Sequence, residues 1–223
     1  MTTKIPTQVV SKQRVTDHGE VYTHPREVNA MLDLVKAETE RIDSRFLEPA
    51  CGTGNFLVEI LERKLKEVKK NFAKSQIEFE RYAVIAVGSI YGIELLADNV
   101  AACQQRLFEV FDQHYTKLYK DACKQACRNS VRFILSRNIL QGDALTLKRV
   151  STETSLEEPI LFSEWSAVNG SLIKRRDFKF SHLLTRADSQ DLPLFSDLGS
   201  EAYIPQPVKD YPLVHYLEVA CYG

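Results

Sequence analysis

Phe46-Leu-Glu-Pro-Ala-Cys-Gly-Thr-Gly-Asn-Phe56 is the stretch that decides the fold. Ile42–Glu48 reads as a short strand in which apolar Phe46 and Leu47 run into an acid, Glu48, and a turn from Pro49 to Gly54 follows. Helical periodicity then begins at Phe56 and continues through Leu57, Ile60, Leu61, Leu65 and Val68 to about Lys74. The segment therefore reads as strand, tight turn and helix. Gly52 and Gly54 carry no side chain, so a ligand can approach their backbone closely. The helix start offers N–H groups to polar ligand atoms. Ligands of open α/β sheets sit beyond the carboxyl ends of the strands, which makes this turn a candidate cofactor site. Gly-x-Gly alone is a weak signal, because any tight strand-to-helix turn can use it. It is neither the full dinucleotide fingerprint nor a phosphate loop, since no Gly-Lys-Ser/Thr follows.

Working outward, residues 25–40 predict one helix, with Pro25 in its first turn and Val28, Met31, Leu32 and Val35 at helical spacing. A second strand lies within Tyr82–Glu94, best defined over Ser89-Ile-Tyr-Gly-Ile-Glu94. Leu96 to about Arg128 predicts a long helical region broken near His114. A third apolar run, Arg132–Leu140, leads through Ile139-Leu140 into Gln141-Gly-Asp143. Strand–helix–strand–helix–strand is the signature of a parallel sheet with right-handed crossovers. The fold class is α/β, with about three parallel strands and flanking helices. After residue 147 helical periodicity fades and Pro159, Gly170, Pro193, Gly199, Pro205, Pro207 and Pro212 punctuate the chain. The expected organisation is an arm over 1–20, a ligand-binding domain over 21–147, and an irregular β-rich extension over 148–223.

Composition bounds the function. The chain has 223 residues, with 29 Lys+Arg against 30 Asp+Glu and a net charge of −1. That length suits one large domain, or one domain with an appendage. The charge balance argues against a chain that coats nucleic acid unaided. No apolar run approaches the ~20 residues of a membrane helix, and the opening MTTKIPTQVVSKQRVTDHGE has no apolar core of a secretory signal. A cytoplasmic protein is expected. The five cysteines, Cys51, Cys103, Cys123, Cys127 and Cys221, then read as reduced thiols. Cys123 and Cys127 are four apart in a predicted helical stretch and would share a face, but His114 and His182 add no ligand spacing, so no metal is expected.

The three strands end on Glu48, Glu94 and Asp143. An acid at the end of the second strand can accept hydrogen bonds from ribose hydroxyls. Acidic walls of this kind suit a nucleoside ligand with a cationic amine and would repel a phosphorylated dinucleotide. Plainer roles stand beside this one: Glu94 could cap the next helix, and Asp143 could serve only its own turn.

Glu-Pro-Ala-Cys-Gly-Thr-Gly-Asn-Phe (48–56) resembles motif I of the N6-adenine DNA methyltransferases of bacterial restriction–modification systems. Gly19-Glu-Val-Tyr-Thr-His-Pro25 resembles that family's motif X, and Ile93-Glu94 and Gly142-Asp143 fall where motifs II and III belong. The order X, I, II, III is the γ-type order, and the resemblance spans about residues 12–147. It implies a Rossmann-like class I methyltransferase sheet and S-adenosyl-L-methionine as cofactor. Tyr22, Thr23 and Pro25 would then line the methionine end, although Tyr22 could equally be a packing aromatic. Glu48, Cys51, Gly52 and Gly54 would form the glycine turn, Glu94 would hold the ribose and Asp143 would face the adenine. His24 stands where the family has proline. Glu94 also lies 40 positions beyond Gly54, against about 20 in a compact unit, which predicts an insertion around residues 70–86. Cys51 reads as chosen for size, since no basic neighbour is present to activate it.

The family's chemistry resides in Asn/Asp-Pro-Pro-Tyr/Phe, which holds the target amino group and stacks on the flipped base. The 223 residues contain no Pro-Pro dipeptide, and Asp191-Leu-Pro-Leu-Phe195 and Asp210-Tyr-Pro-Leu213 are distant echoes. The catalytic residues are therefore not assigned in this chain. A second subunit carrying Asn-Pro-Pro-Tyr is expected, with DNA bound within the complex. Lys174, Arg175 and Arg176 lie among Trp165, Phe178 and Phe180. They could track a phosphate backbone, or form an amphipathic strand with a solvated charge cluster. Residues 205–216 are apolar and turn-rich, suited to lying against a partner, and His215 reads as a packing residue. The alternative function is a non-catalytic regulatory or assembly module with a methyltransferase-like fold.

Overall fold

The computed structural model describes residues 23–150, 158–184 and 206–222. Helix α1 spans Pro25–Asp33 and α2 spans Lys36–Glu40, so the single helix expected over 25–40 is two. Pro25 starts α1, and His24 accepts from the Arg26 N–H through its imidazole at 3.2 Å. The histidine found at the family's proline position therefore works as an N-cap. Strand β1 is only Phe46–Glu48 and not Ile42–Glu48, because the Ile42 and Ser44 carbonyls accept from the Lys64 ammonium and not from a strand; α3, Asn55–Phe72, begins straight after Gly54.

Between β1 and β2 (Ile90–Glu94) lies a second helix, α4, Gln76–Gly88. It occupies the insertion expected from the long spacing to Glu94. Phe79, Ala83, Val84, Ala86 and Val87 of α4 are fully buried and its second half, 83–88, is enclosed on all sides, which explains the lack of amphipathic periodicity there: an enclosed helix shows no polar face. Helix α5, Ala97–Tyr119, runs unbroken past His114, which lies mid-helix and pairs with Glu62 at 2.9 Å. The break falls instead at Lys120, where φ is 48°, followed by a 3-10 turn over Lys120–Ala122. Helix α6 is Gln125–Asn138 and β3 is Ile139–Asp143, so the third strand starts seven residues later than the apolar run at Arg132. Cys123 lies in the loop ahead of α6 and Cys127 inside it, so the two do not share a helix face. Among the described residues no cluster of His, Cys, Asp and Glu could hold a metal.

Strands β1, β2 and β3 are parallel and adjacent, pairing Phe46 with Ile90 and Gly92 with Ile139. A short β4, Lys148–Arg149, adds antiparallel to β3. One face of the sheet is covered by the helices in the main core, which includes Leu57, Leu61, Ile90, Leu107 and Ile139. Its other face presents Tyr91, Ile93 and Leu140. These pack in a second core against Ile160, Phe162 and Phe180 of the extension.

The described extension is more regular than its sequence implies. β5, Leu161–Ala167, and β6, Leu172–Lys179, form an antiparallel hairpin from Leu161↔Lys179 to Ala167↔Ile173, continued by α7, Phe180–Leu184. β7, Lys209–Asp210, and β8, Val214–His215, pair with β6. Trp165 donates its indole N–H to Asn138 at 2.9 Å, and Asn138 donates to the carbonyls of Gly88 and Ile90. The chain end is anchored through buried Glu80, which accepts from Tyr216 at 2.6 Å, Lys124 at 2.8 Å, Gln76 at 2.8 Å and the Tyr115 hydroxyl. Val214 and Tyr216 are buried in this chain's own core, so that part of the 205–216 stretch lies against the parent domain and not a partner. His215 packs on Tyr216, with ring centroids 4.6 Å apart.

Candidate cofactor site

The carboxyl ends of β1 and β2 meet at the glycine turn. Gly52 and Gly54 have φ of 52° and 86°, in the left-handed region. A Cβ at Gly54 would stand 2.6 Å from the Cys103 sulfur on α5, so both the dihedral and the space demand glycine. The turn is closed by the Gly54 N–H to the Cys51 carbonyl at 2.8 Å and tied to β2 by the Cys51 N–H to the Ile93 carbonyl at 2.9 Å. Cys51 is buried, and its thiol is pushed up by its hydrogen bond with Cys103 and by burial. A protonated, enclosed thiol is a packing group and not a nucleophile.

Glu94 reaches across to this turn. One carboxylate oxygen accepts from the Gly52 N–H at 2.9 Å, and the other from the Leu96 N–H at 3.0 Å. The bond to Leu96, at the start of α5, is a capping role; the bond to Gly52 fixes the cofactor turn. Each oxygen keeps a further lone pair, so the carboxylate can still accept from a ligand hydroxyl. Glu48, at the end of β1, has its carboxyl pushed up by burial, opposed by a hydrogen bond from the Ala50 backbone. A cationic ligand group beside it would favour the charged form.

Asp143 ends β3. It accepts from the Leu145 N–H at 2.8 Å, and that bond holds its carboxyl below the ordinary aspartate range. It thus organises its own turn. Gly142 beside it is a packing glycine: a Cβ there would lie 2.8 Å from Ile160 and 3.0 Å from the Lys148 carbonyl.

Two residues brace the site that sequence reading did not single out. Arg106, on α5, donates through one guanidinium nitrogen to the Thr53 carbonyl at 2.6 Å, the Thr53 hydroxyl at 3.0 Å and the Asn55 side chain at 2.9 Å. Asn55 in turn donates to the Thr23 carbonyl at 3.3 Å, linking the 23–25 segment to the glycine turn. Nothing local marks Arg106 in the sequence, because its partners are about fifty residues away. Thr23 therefore stands next to the turn, Pro25 starts α1 two residues further on, and Tyr22 lies outside the described residues.

A family model for the MmeI DNA-methyltransferase domain matches residues 24–158. The chain belongs to this family. The matched stretch contains the glycine turn, Glu94 and Asp143, and a DNA-methyltransferase domain of restriction–modification type implies S-adenosylmethionine as cofactor. No curated protein and no solved structure matches the chain. The residues present fit that cofactor: Glu94 stands at the carboxyl end of β2 with lone pairs left on both oxygens, beside a tight glycine turn and the start of α3. Among the described residues, no helix of this MmeI-family chain is long and apolar enough to cross a membrane.

The basic cluster is placed differently from expectation. Arg175 is buried, with its guanidinium bidentate on Asp177 at 3.0 Å and 3.0 Å and stacked 4.0 Å from the Tyr211 ring. Lys174 pairs with Asp210, and Arg176 pairs with Glu164 at 2.9 Å. Trp165, Phe178 and Phe180 are core residues. The three cations are internal partners here and do not form an open phosphate-tracking stripe. Of the two motif echoes, Asp210-Tyr211 is committed to Lys174 and to Asp177, which Tyr211 bonds at 3.0 Å, while 191–195 lies outside the described residues.

Proposed function

We propose that this chain is the S-adenosylmethionine-binding subunit of an adenine-N6 DNA methyltransferase of a restriction–modification or defence system. A second chain supplies Asn-Pro-Pro-Tyr, and DNA is engaged within the complex. The reading is carried by one observation: the glycine turn and Glu94 are hydrogen-bonded into one unit at the carboxyl edge of a parallel sheet, in a sequence with no Pro-Pro dipeptide. S-adenosylmethionine supplies an electrophilic methyl group when bound. Glu94 accepts from its ribose hydroxyls, and Glu48, Cys51, Gly52 and Gly54 shape the turn around it. Thr23 and Pro25, with Tyr22, line the methionine end, and Asp143 borders the adenine. Arg106 is a positioning residue that holds Thr53 and Asn55 in place.

Calorimetric titration with S-adenosylmethionine tests the binding step. Binding that Glu94→Ala weakens supports the reading, and no binding by this chain, alone or with its partner, ends it. Methyl transfer to DNA is expected only on mixing the two chains. Activity of this chain alone would refute the division of labour. One observation favours the non-catalytic alternative: both Glu94 oxygens already hold backbone N–H groups of this chain, so the turn is ordered without a ligand. If Gly54→Asp leaves biological function intact while the complex assembles, the fold serves as an assembly module.

A further inference from the structure

Helix α1 follows directly on Thr23 and His24 and begins with Pro25, so its position fixes where the 23–25 segment lies. It has nine residues, fewer than the ~12–15 at which an isolated helix becomes even marginally stable. Its place is therefore set by docking. Val28 and Leu32 are buried in the main core, while Met31 and Leu34 stay exposed.

The polar part of that docking is one stripe of α3. Asn55, Glu59 and Arg63 follow at a spacing of four and share a helix face. At the start of the stripe Asn55 donates to the Thr23 carbonyl at 3.3 Å. Two turns further on stands Arg63, its side chain 12% exposed. Its Nη2 donates to the Asn29 side-chain oxygen at 2.9 Å and the Asn29 carbonyl at 3.3 Å, and pairs with Asp33 at 2.9 Å. Its Nε donates to Glu59 at 3.3 Å. Asn29 in turn donates through its side-chain nitrogen to the Pro25 carbonyl at 3.0 Å. A flipped Asn29 amide would set donor against donor and acceptor against acceptor, so both neighbours fix its orientation. A chain of hydrogen bonds thus runs from Arg63 through Asn29 to Pro25. Arg63 is also the cation between two carboxylates, Glu59 of α3 and Asp33 of α1, and it cancels their repulsion.

We propose that Arg63 and Asn29 are positioning residues for the cofactor. They set the 23–25 segment against the glycine turn and so couple the docking of α1 to occupancy of the methionine end. The inference rests on the S-adenosylmethionine reading above and deepens it. Arg63 lies about 12 Å beyond Asn55 along α3, so it acts on the site through α1. A ligand that meets the 23–25 segment only when α1 is docked binds in proportion to the docked fraction. By reciprocity the bound ligand holds α1 in place.

The test uses the full chain, with its partner present if the mixture is what binds. Two probes are titrated: S-adenosylhomocysteine, and 5′-methylthioadenosine, which lacks the amino-acid portion. Amide hydrogen exchange is followed at Val28–Leu32 of α1 and at Leu61 and Leu65 of α3. Arg63→Met, which keeps the apolar stem, should speed exchange in α1 and weaken S-adenosylhomocysteine about tenfold, as a docked fraction lowered by that factor requires. 5′-Methylthioadenosine affinity and the α3 amides should stay at wild-type values. Asn29→Asp keeps an acceptor for Arg63 and loses the donor to Pro25, so it should weaken S-adenosylhomocysteine while α1 stays protected. Arg63→Lys, which keeps the charge between Glu59 and Asp33, should recover most of the affinity. In the unsubstituted protein, saturating S-adenosylhomocysteine should slow exchange at Val28–Leu32. Equal losses for the two probes, lost protection in α3, or unaltered S-adenosylhomocysteine affinity in Arg63→Met each overturn the positioning role and leave the cofactor reading standing. Failure of the unsubstituted protein to bind S-adenosylhomocysteine overturns both.

Discussion

Two charged regions of this molecule behave in opposite ways. At the carboxyl end of the sheet, Glu94 accepts backbone N–H groups and pairs with no cation among the described residues. In the β5–β6 hairpin, Arg175 is consumed by Asp177, which also accepts from Ser163 at 2.6 Å and Tyr211 at 3.0 Å. The first region keeps lone pairs and unbalanced charge for a ligand. The second has spent its charge on holding the extension to the domain. A cluster of charge in sequence says little about binding until its internal partners are known.

The largest expected effect separates the two regions through stability. Asp177→Ala should leave Arg175 buried and unpaired, which costs about 3–5 kcal/mol, read as a lowered midpoint in urea unfolding. The loss should come with little change in cofactor affinity per folded molecule. Desolvation opposes ionisation of Asp177, but its bonds from Arg175 and Ser163 prevail and hold its carboxyl below the usual range. Its stabilisation is therefore present above the unfolded aspartate pKa and lost as pH falls through the lower folded value, so the variant's deficit should shrink in acid.

Gly54→Asp reverses the pattern. It forces a side chain into the space occupied by Cys103 at a φ of 86°, and should abolish S-adenosylmethionine binding, a loss beyond ~100-fold, or about 2.7 kcal/mol. Retained helical circular dichroism would assign the loss to the turn. Arg106→Ala should weaken the same binding by roughly tenfold, about 1.4 kcal/mol, by freeing Thr53 and Asn55. Equal affinity for the variant would remove Arg106 from the positioning role.

The smallest effect is a slope. Lys64 is fully buried below the sheet, donating to the Ile42 carbonyl at 3.1 Å, the Ser89 hydroxyl at 2.7 Å and the Ser44 carbonyl. Burial lowers its pKa from 10.5 to about 7, with Asp43 and Glu38 opposing that shift and Arg41 adding to it. Above pH 7 the unfolded chain binds a proton at this lysine that the folded chain does not. Stability should therefore rise with pH through that window. Unfolding measured between pH 7 and about 8.5, below the main titration of thiols and phenols, should show this rise, and Lys64→Met should flatten it.

The sheet order, the turn and the acidic strand ends were legible in the sequence because each is local. A strand, a glycine pair and a helix start are adjacent in the chain, and period-two and period-3.6 patterns report burial directly. The same period two places Arg175 and Asp177 on the inward face of β6 with Ile173, a signal available in the sequence and outweighed by the basic run around it. The break at Lys120 left no trace, because a lysine holds the φ of 48° there and no glycine or proline marks the turn. The helix α4 was legible only as excess length, since burial all round its second half erases amphipathicity there.

By itself, then, the sequence determined the parallel βαβ order and the composition of the crevice, since both follow from residues near one another in the chain. Only the tertiary structure decided which charges remain available, because a charge is cancelled by whatever stands within a few ångströms, however distant in sequence. Arg106 reaches Thr53 across fifty-three positions and Tyr216 reaches Glu80 across one hundred and thirty-six. The hairpin's place on the second sheet face is of the same kind: it follows from Phe162 and Phe180 meeting Tyr91 and Ile93 in three dimensions.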